Sequence, residues 1–451
     1  MREVLHMDDS LPELVFPSVG NLELVARFDG GDLTSDAGLL LLAQADRRIG
    51  LINAMSKVAT DRRQFSKVRH GFGEILRERI YAIACGYEDA NDLDRLKDDP
   101  ALKVACGRRP HSQPALASQP TISRLENAVG NKDLLRMALA IAERVIAQLP
   151  ADTTEVVLDV DATDDPCHGQ QEFEFFNRYY DAHCYLPLLL YVTGPDRRQR
   201  LLASMLRPGN ASYRDGLYGM LRRAVRLLRA RFPQVRIILR ADAGFGNADT
   251  LAFCEAQNLS YVLGLRHNNR LAVLSTSVQI DACLKYGWEG DGCVEYGEFK
   301  YKAGSWPHLR RTIVKAEITQ GKLNPRYVVT NLEHGPEQVY LYYCERGDRE
   351  NRIKELKLDL SSGRTSCHRF AANQLRLLLH TAACVLLYTL QEAAAGTPWV
   401  TAQAGTLRLR LIKVAARVVE SCRKIWFHLA SSYVDKRTWA HLNRRLCETS
   451  I

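Results

Sequence analysis

"TEVVLDVDAT", residues 154–163, is the stretch on which the fold turns. Val156, Val157, Leu158 and Val160 make a short apolar run rich in β-branched residues, which favours a strand. It begins just after Leu149-Pro150, where a long helical pattern stops. On a strand, Asp159 and Asp161 lie two apart and share a face, with Asp161 nearest the strand's exit. Either acid is placed to be a ligand, or Asp159 to support Asp161.

Downstream, "CYLPLLLYVTG" (184–194) and "RLLASMLRPG" (200–209) read as two further strands, each bounded by turn residues. "GLYGMLRRAVRLLRARF" (216–232) reads as a basic amphipathic helix. "VRIILRADAGFGN" (235–247) returns as a strand that ends at Asp242, before glycines that permit a sharp turn. A helix, "ADTLAFCEAQN", and a strand, "SYVLGLR", follow. This order predicts an α/β fold, a mixed sheet with flanking helices.

Upstream, residues 35–150 carry apolar side chains at three- and four-residue spacing, which predicts an α-helical N-terminal domain over 1–150. Within it, Ser118 or Thr121 is placed to cap a short helix carrying Ser123, Arg124 and Asn127. The first part of the core occupies 151–268, a β-rich insertion 269–335, the completion of the core 336–370, and a C-terminal region 371–451. In the last, "TLRLRLIKVAARVV" (406–419) and "RKIWFHLASSY" (423–433) read as helices or as the arms of a hairpin, and the alternation Leu407-Arg408-Leu409-Arg410-Leu411 favours the hairpin.

The third acidic position is in "YYCERGDRENRIKELK", residues 342–357. As one helix, Tyr343, Arg346, Glu350 and Lys357 fall at about 0°, 300°, 340° and 320°, a single narrow stripe. Gly347 costs about 1 kcal/mol relative to Ala in a helix interior, so it also marks a place for the helix to begin. In that case Tyr343 and Arg346 stand on the approach. Carboxylates from two strand ends and one helix, brought to one spot, are hard oxygen ligands for Mg²⁺. Two such ions, about 4 Å apart, suit phosphodiester chemistry. Arg346 and Lys357 would hold phosphates or orient Glu350, and Tyr343 would bond a backbone phosphate.

Bulk properties set the frame. The net charge of +9 fits a polyanionic partner. The most apolar run, Leu377–Leu390, is short of the roughly 18 to 20 residues of a membrane span, and the acidic, mixed N-terminus is unlike a signal peptide. The 12 cysteines include no CxxC pair, which points to reduced thiols in a cytoplasmic protein and away from a structural zinc. No P-loop, GxSxG elbow or HExxH occurs, and Cys167-His168 has no partner for nucleophilic catalysis. Trp288 and Trp306 are candidates to stack on an unpaired base, with a packing role as the plainer reading. Arg222, Arg223, Arg226, Arg229 and Arg231 form a charged helix face, solvated or in contact with DNA.

These residues resemble a known family. The spacing of Tyr343, Arg346, Glu350 and Lys357 is similar to the signature around the third acid of bacterial insertion-sequence DDE group 1 transposases, which have a ribonuclease H-like core. "DAT" at Asp161 resembles that family's first-acid motif and "ADAGF" at Asp242 its second. "TDDPCHGQQ", "GYEDANDLDRLKDDPALK" and "SQPTISRLEN" resemble one branch of the class, so the similarity spans roughly residues 20 to 435. The β-rich insertion before the glutamate resembles the class as well.

The resemblance implies that Asp161, Asp242 and Glu350 are catalytic acids and metal ligands for two Mg²⁺ ions, with Mn²⁺ as an alternative. Tyr343, Arg346 and Lys357 become supporting contacts to phosphate and DNA, with Asp159 beside them. Thr121, Ser123, Arg124 and Asn127 become contacts to transposon ends. The partners implied are transposon-end and target DNA and a second copy of the chain in a homodimer, with no membrane, in the cytoplasm at the nucleoid. The alternatives are a ribonuclease H-like nuclease that cuts without joining and a non-catalytic DNA-binding descendant of a transposase. Asp159, Asp161, Asp164 and Asp165 crowd the first motif and leave the first ligand open.

Overall fold

A computed structural model describes residues 13–448, apart from the side chains of Glu289, Asp348, Arg349 and Glu350. The acidic N-terminal stretch 1–12 lies outside the described residues. The centre is one eight-stranded sheet. Its strands are β1 (Glu155–Ala162), β2 (Leu188–Thr193), β3 (Gln199–Met205), β4 (Arg236–Ala241), β5 (Ser260–Leu265), β6 (Val294–Tyr301), β7 (Arg310–Thr319) and β8 (Lys322–Thr330). They lie in the order β6-β7-β8-β5-β4-β1-β2-β3. β4 runs parallel to both β1 and β5, and the other pairings are antiparallel. This is a ribonuclease H-like mixed sheet with flanking helices.

β1 and β4 are apolar on both faces because both faces are covered: Val156, Val157, Leu158, Val160, Ile237, Ile238 and Leu239 are all buried. Helices α1 (Leu39–Ile49), α2 (Leu51–Val58), α3 (Phe72–Cys85), α4 (Gln119–Ala128) and α5 (Asn131–Ile146) precede the sheet. α6 (Leu217–Arg231) and α7 (Ala248–Ala256) lie between its strands, and α8 (Thr276–Glu289) precedes β6. α9 (Pro336–Cys344), α10 (Gly347–Lys354), α11 (Phe370–Ala393) and α12 (Lys436–Cys447) follow it. α11 packs against α3, α5 and β3, so one hydrophobic core runs from Leu39 to Leu446.

By length and composition α11 would cross a membrane; instead, 83% of its most apolar window is buried inside the protein. The helix runs for 24 residues, well beyond the apolar stretch 377–390. His380 and Arg376 are accommodated within it: burial pushes His380 down to about 4, and Arg376 meets Glu126.

Three local features differ from the sequence pattern. Residues 269–289, read as strand and turn, form two helices, Asn269–Leu274 and α8, with Asn268 accepting the Leu271 amide as an N-cap. Residues 404–412 are helical, because Leu407 and Leu411 bury at i and i+4 while Leu409 is 68% exposed. The hairpin forms just beyond, from Ala416–Glu420 and Ile425–Leu429. A hairpin at Leu14–Val19 and Leu22–Ala26 was not read from the sequence. Pro17 interrupts its pattern and lies where the register shifts.

Candidate active site at the ends of two parallel strands

The sheet itself assembles the first two acids. Val160 on β1 is paired with Ala241 on β4, so Asp161 and Asp242 are the next residues on adjacent parallel strands. Neighbouring strands are about 4.8 Å apart, which sets the two backbones side by side. Asp161 Oδ1 accepts the Ala162 amide at 2.9 Å, and Asp242 Oδ1 accepts the Gly244 amide at 2.8 Å. The turn after Asp242 is closely packed. A Cβ at Gly264 on β5 would lie 2.7 Å from both the Ala243 nitrogen and the Tyr343 hydroxyl, so glycine is what lets these elements meet.

The stretch carrying the signature is two helices rather than one. α9 ends at Cys344, Glu345 and Arg346 form the bend, and α10 starts at Gly347. The single-stripe arrangement therefore does not hold for Tyr343, which closes α9, nor for Lys357, which lies in a π-helical turn at 355–359. The side chains still converge on the strand ends. The Tyr343 hydroxyl sits over Gly264, Arg346 Nη1 is 3.8 Å from Asp161 Oδ2, and the Arg346 guanidinium lies 5.9 Å from the Tyr343 ring centre. Lys357 Nζ donates to Asp164 at 2.7 Å. Residue 350 is on α10, four positions beyond Arg346; its side chain lies outside the described residues.

The four aspartates of the first motif separate by their partners. Asp159 is fully buried, and both its oxygens accept from Arg240, at 2.7 Å from Nε and 3.0 Å from Nη2. Asp164 meets Lys357. Asp165 is buried and accepts the Thr365 hydroxyl at 2.7 Å; burial pushes its carboxyl up to about 7. Asp161 faces Arg346. Among the described residues no group of three or more His, Cys, Asp or Glu is arranged to hold a metal. Asp161 and Asp242 supply two carboxylates at one edge, an all-oxygen donor pair suited to a hard divalent cation.

Beside Asp242 opens a cleft of about 470 Å³, lined by Ala243, His267, Arg326, Tyr340, Tyr343 and Arg346 among others. Arg326 on β8 and Arg240 on β4 are site neighbours that the sequence alone did not single out; each is one arginine in an ordinary strand pattern. Thr121, Ser123, Arg124 and Asn127 lie together on α4, which packs against α11. Arg124 is exposed, and the other three are half-buried, with Asn127 Nδ2 donating to the Ser123 carbonyl at 2.9 Å. In the insertion, Trp306 is 4% exposed and packs against Tyr301 and Arg310, which assigns it to packing, whereas Trp288 is 89% exposed.

A ribonuclease H-like sheet with acids at the ends of two adjacent central strands marks a nucleic-acid-processing class. The chain belongs to the transposase DDE domain group 1 family, whose model matches residues 16–451. It is thus a DNA-binding transposase by family, acting in transposition and DNA recombination. No curated protein matches the chain.

Proposed function

We propose that this chain is the transposase of a bacterial insertion sequence. It binds the ends of its element as a homodimer, cuts there, and joins the freed 3′-hydroxyl ends to target DNA at the nucleoid. The observation that carries this reading is the register that sets Asp161 beside Asp242, with Arg346 reaching Asp161.

In this reading Asp161, Asp242 and Glu350 hold divalent cations, two Mg²⁺ with Mn²⁺ as a substitute. When bound, the ions neutralise phosphate charge and lower the pKa of the attacking oxygen. The chain's own groups do the rest. Arg346 and Lys357 hold phosphate oxygens, Tyr343 donates to the backbone, and Asp159 supports the strand that carries Asp161. Water attacks phosphorus first and the bond to the 3′-oxygen breaks, leaving a 3′-hydroxyl. That hydroxyl then attacks a target phosphorus and displaces the target's own 3′-oxygen. Thr121, Ser123, Arg124 and Asn127 contact the element's ends through the outer face of α4.

The test uses purified protein, Mg²⁺ and a labelled duplex of the terminal repeat that flanks the coding sequence. Binding, cleavage and joining are scored separately for the parent and for Asp161→Asn, Asp242→Asn and Glu350→Gln. Variants that bind and do not cut, beside a parent that cuts and joins, support the assignment. A parent that cuts and never joins shifts it to a nuclease, and variants that cut like the parent overturn it.

A further inference from the structure

One level below Asp161 and Asp242, on the same two strands, stand Asp159 and Arg240, themselves paired across the sheet. Arg240 is only 3% exposed. Its Nε and Nη2 are committed to Asp159, and Gln199 also reaches Asp159 at 3.4 Å. Its remaining nitrogen leaves the pair. Nη1 donates to the Tyr342 carbonyl at 2.6 Å and approaches Glu345 Oε2 at 3.3 Å, and the Tyr342 ring centre lies 5.2 Å from the guanidinium.

The Tyr342 carbonyl belongs to the last turn of α9, where backbone acceptors have no partner within the helix. The Arg346 amide, which would bond Tyr342 in a continued α-helix, bonds the Tyr343 carbonyl instead at 3.1 Å. The bend into α10 therefore frees an acceptor, and a buried arginine from the sheet takes it. A planar guanidinium grips the carboxylate through two nitrogens and reaches the helix end with the third, a fixed fork that the single nitrogen of an ammonium does not reproduce.

We propose that Asp159 and Arg240 are positioning residues. Their pair fixes the α9–α10 bend against the strand ends and so sets where residue 350 stands relative to Asp161 and Asp242. This rests on the reading of those three acids as the catalytic set. Asp159 then orients the arginine and is not itself a ligand, because both its oxygens are spent on Arg240.

The test compares the parent with Arg240→Lys, and with Asp159→Leu/Arg240→Met, which removes both buried charges together and so avoids stranding either. Hydrogen exchange is followed by mass spectrometry on the full chain without metal. Peptides covering 340–350 are expected to exchange at least 10-fold faster in both variants, while peptides from β1 and β4 hold their protection. Cleavage of the terminal-repeat duplex in Mg²⁺ should lose at least 10-fold in kcat with KM for DNA unchanged. Unaltered exchange at 340–350 in a variant whose strands remain protected would overturn the proposal. So would an equal loss across β1 and β4, because the pair would then be a sheet staple alone. If the double variant does not fold, Arg240→Lys, which keeps the charge beside Asp159, decides. Asp242→Asn runs in parallel: if it cuts like the parent, the catalytic reading fails whatever the exchange data show.

Discussion

Glu126 and Asp159 are both buried carboxylates answered by arginine, and their surroundings give them different work. Glu126 on α4 takes Arg79 from α3 at 3.0 Å and Arg376 from α11 at 2.9 Å. Arg79 Nη2 goes to the Glu88 carbonyl and Arg376 Nη1 to the Ser366 hydroxyl, both in loops beside these helices, while Arg79 Nη1 is buried without a hydrogen-bond partner among the described residues. That cluster ties three helices together and reaches only loops beside them. In the Asp159 cluster, Arg240 sends its spare nitrogen out to the bend that leads to residue 350. A buried ion pair is by itself weak evidence of stability, because desolvation offsets most of the attraction. What the uncommitted N–H groups hold is the better guide to what the pair does.

The sharpest way to break this contrast is to remove the acids one level above Asp159. Asp161→Asn and Asp242→Asn are each expected to slow cleavage by ~10³-fold or more, about 4 kcal/mol on the barrier. Thermal stability should hold or rise, since one of two like charges is gone. Single-turnover cleavage and a melting curve on the same preparation check both halves. A fall in stability as large as the fall in rate would mean that these carboxylates are structural.

Glu126→Ala is expected to behave in the opposite way. It strands two arginines in the helical core, at a cost of about 3–5 kcal/mol, read as a shift in the urea midpoint. The fraction that remains folded should cut at the parent's rate. A midpoint unchanged within error would show that the bundle does not depend on the triad.

How much of this was readable beforehand follows from what each feature depends on. β1, β4 and β5 were legible because local composition decides them: β-branched runs closed by turn residues at Asp161, Asp242 and Arg266. The acids at their ends were legible for the same reason. The partner of Asp159 was not, because Arg240 is 81 residues away and meets it only through strand register. The α9–α10 bend was half legible. Gly347 marked the point, but "VYLYYCERGDRENRIKELK" continues as an unbroken helical pattern, and tertiary contacts to the sheet decide the break. Leu407–Leu411 fits period two and period 3.6 equally well, and burial of Leu411 against the core selects the helix.

A third buried carboxylate refines the contrast through pH. Glu78 on α3 is fully buried and accepts the Ala117 amide at 3.1 Å, and burial pushes its carboxyl up to about 8. The folded state thus holds a proton that the unfolded chain releases near its ordinary value of 4.5. Stability from this group is fully present below that value and is lost as pH rises through about 8. Glu78→Gln, which cannot ionise, should flatten the dependence of Tm on pH across that window, with the gain largest at its alkaline end. An unchanged slope would place the titration elsewhere.

The smallest expected effect separates the outside of α4 from its inside. Arg124 is exposed on the helix whose inner face carries Glu126. Arg124→Ala should change stability by no more than about 0.5 kcal/mol, since it breaks no buried network. If this face meets the phosphates of the element's end, the variant should bind the terminal-repeat duplex more weakly. Its plot of log affinity against log salt should lose about one unit of slope, the share of one phosphate contact. A weaker complex with an unchanged slope would instead mean that Arg124 reads a base edge. Unchanged binding would leave α4 a purely structural helix, anchored through Glu126 and solvated on its other side.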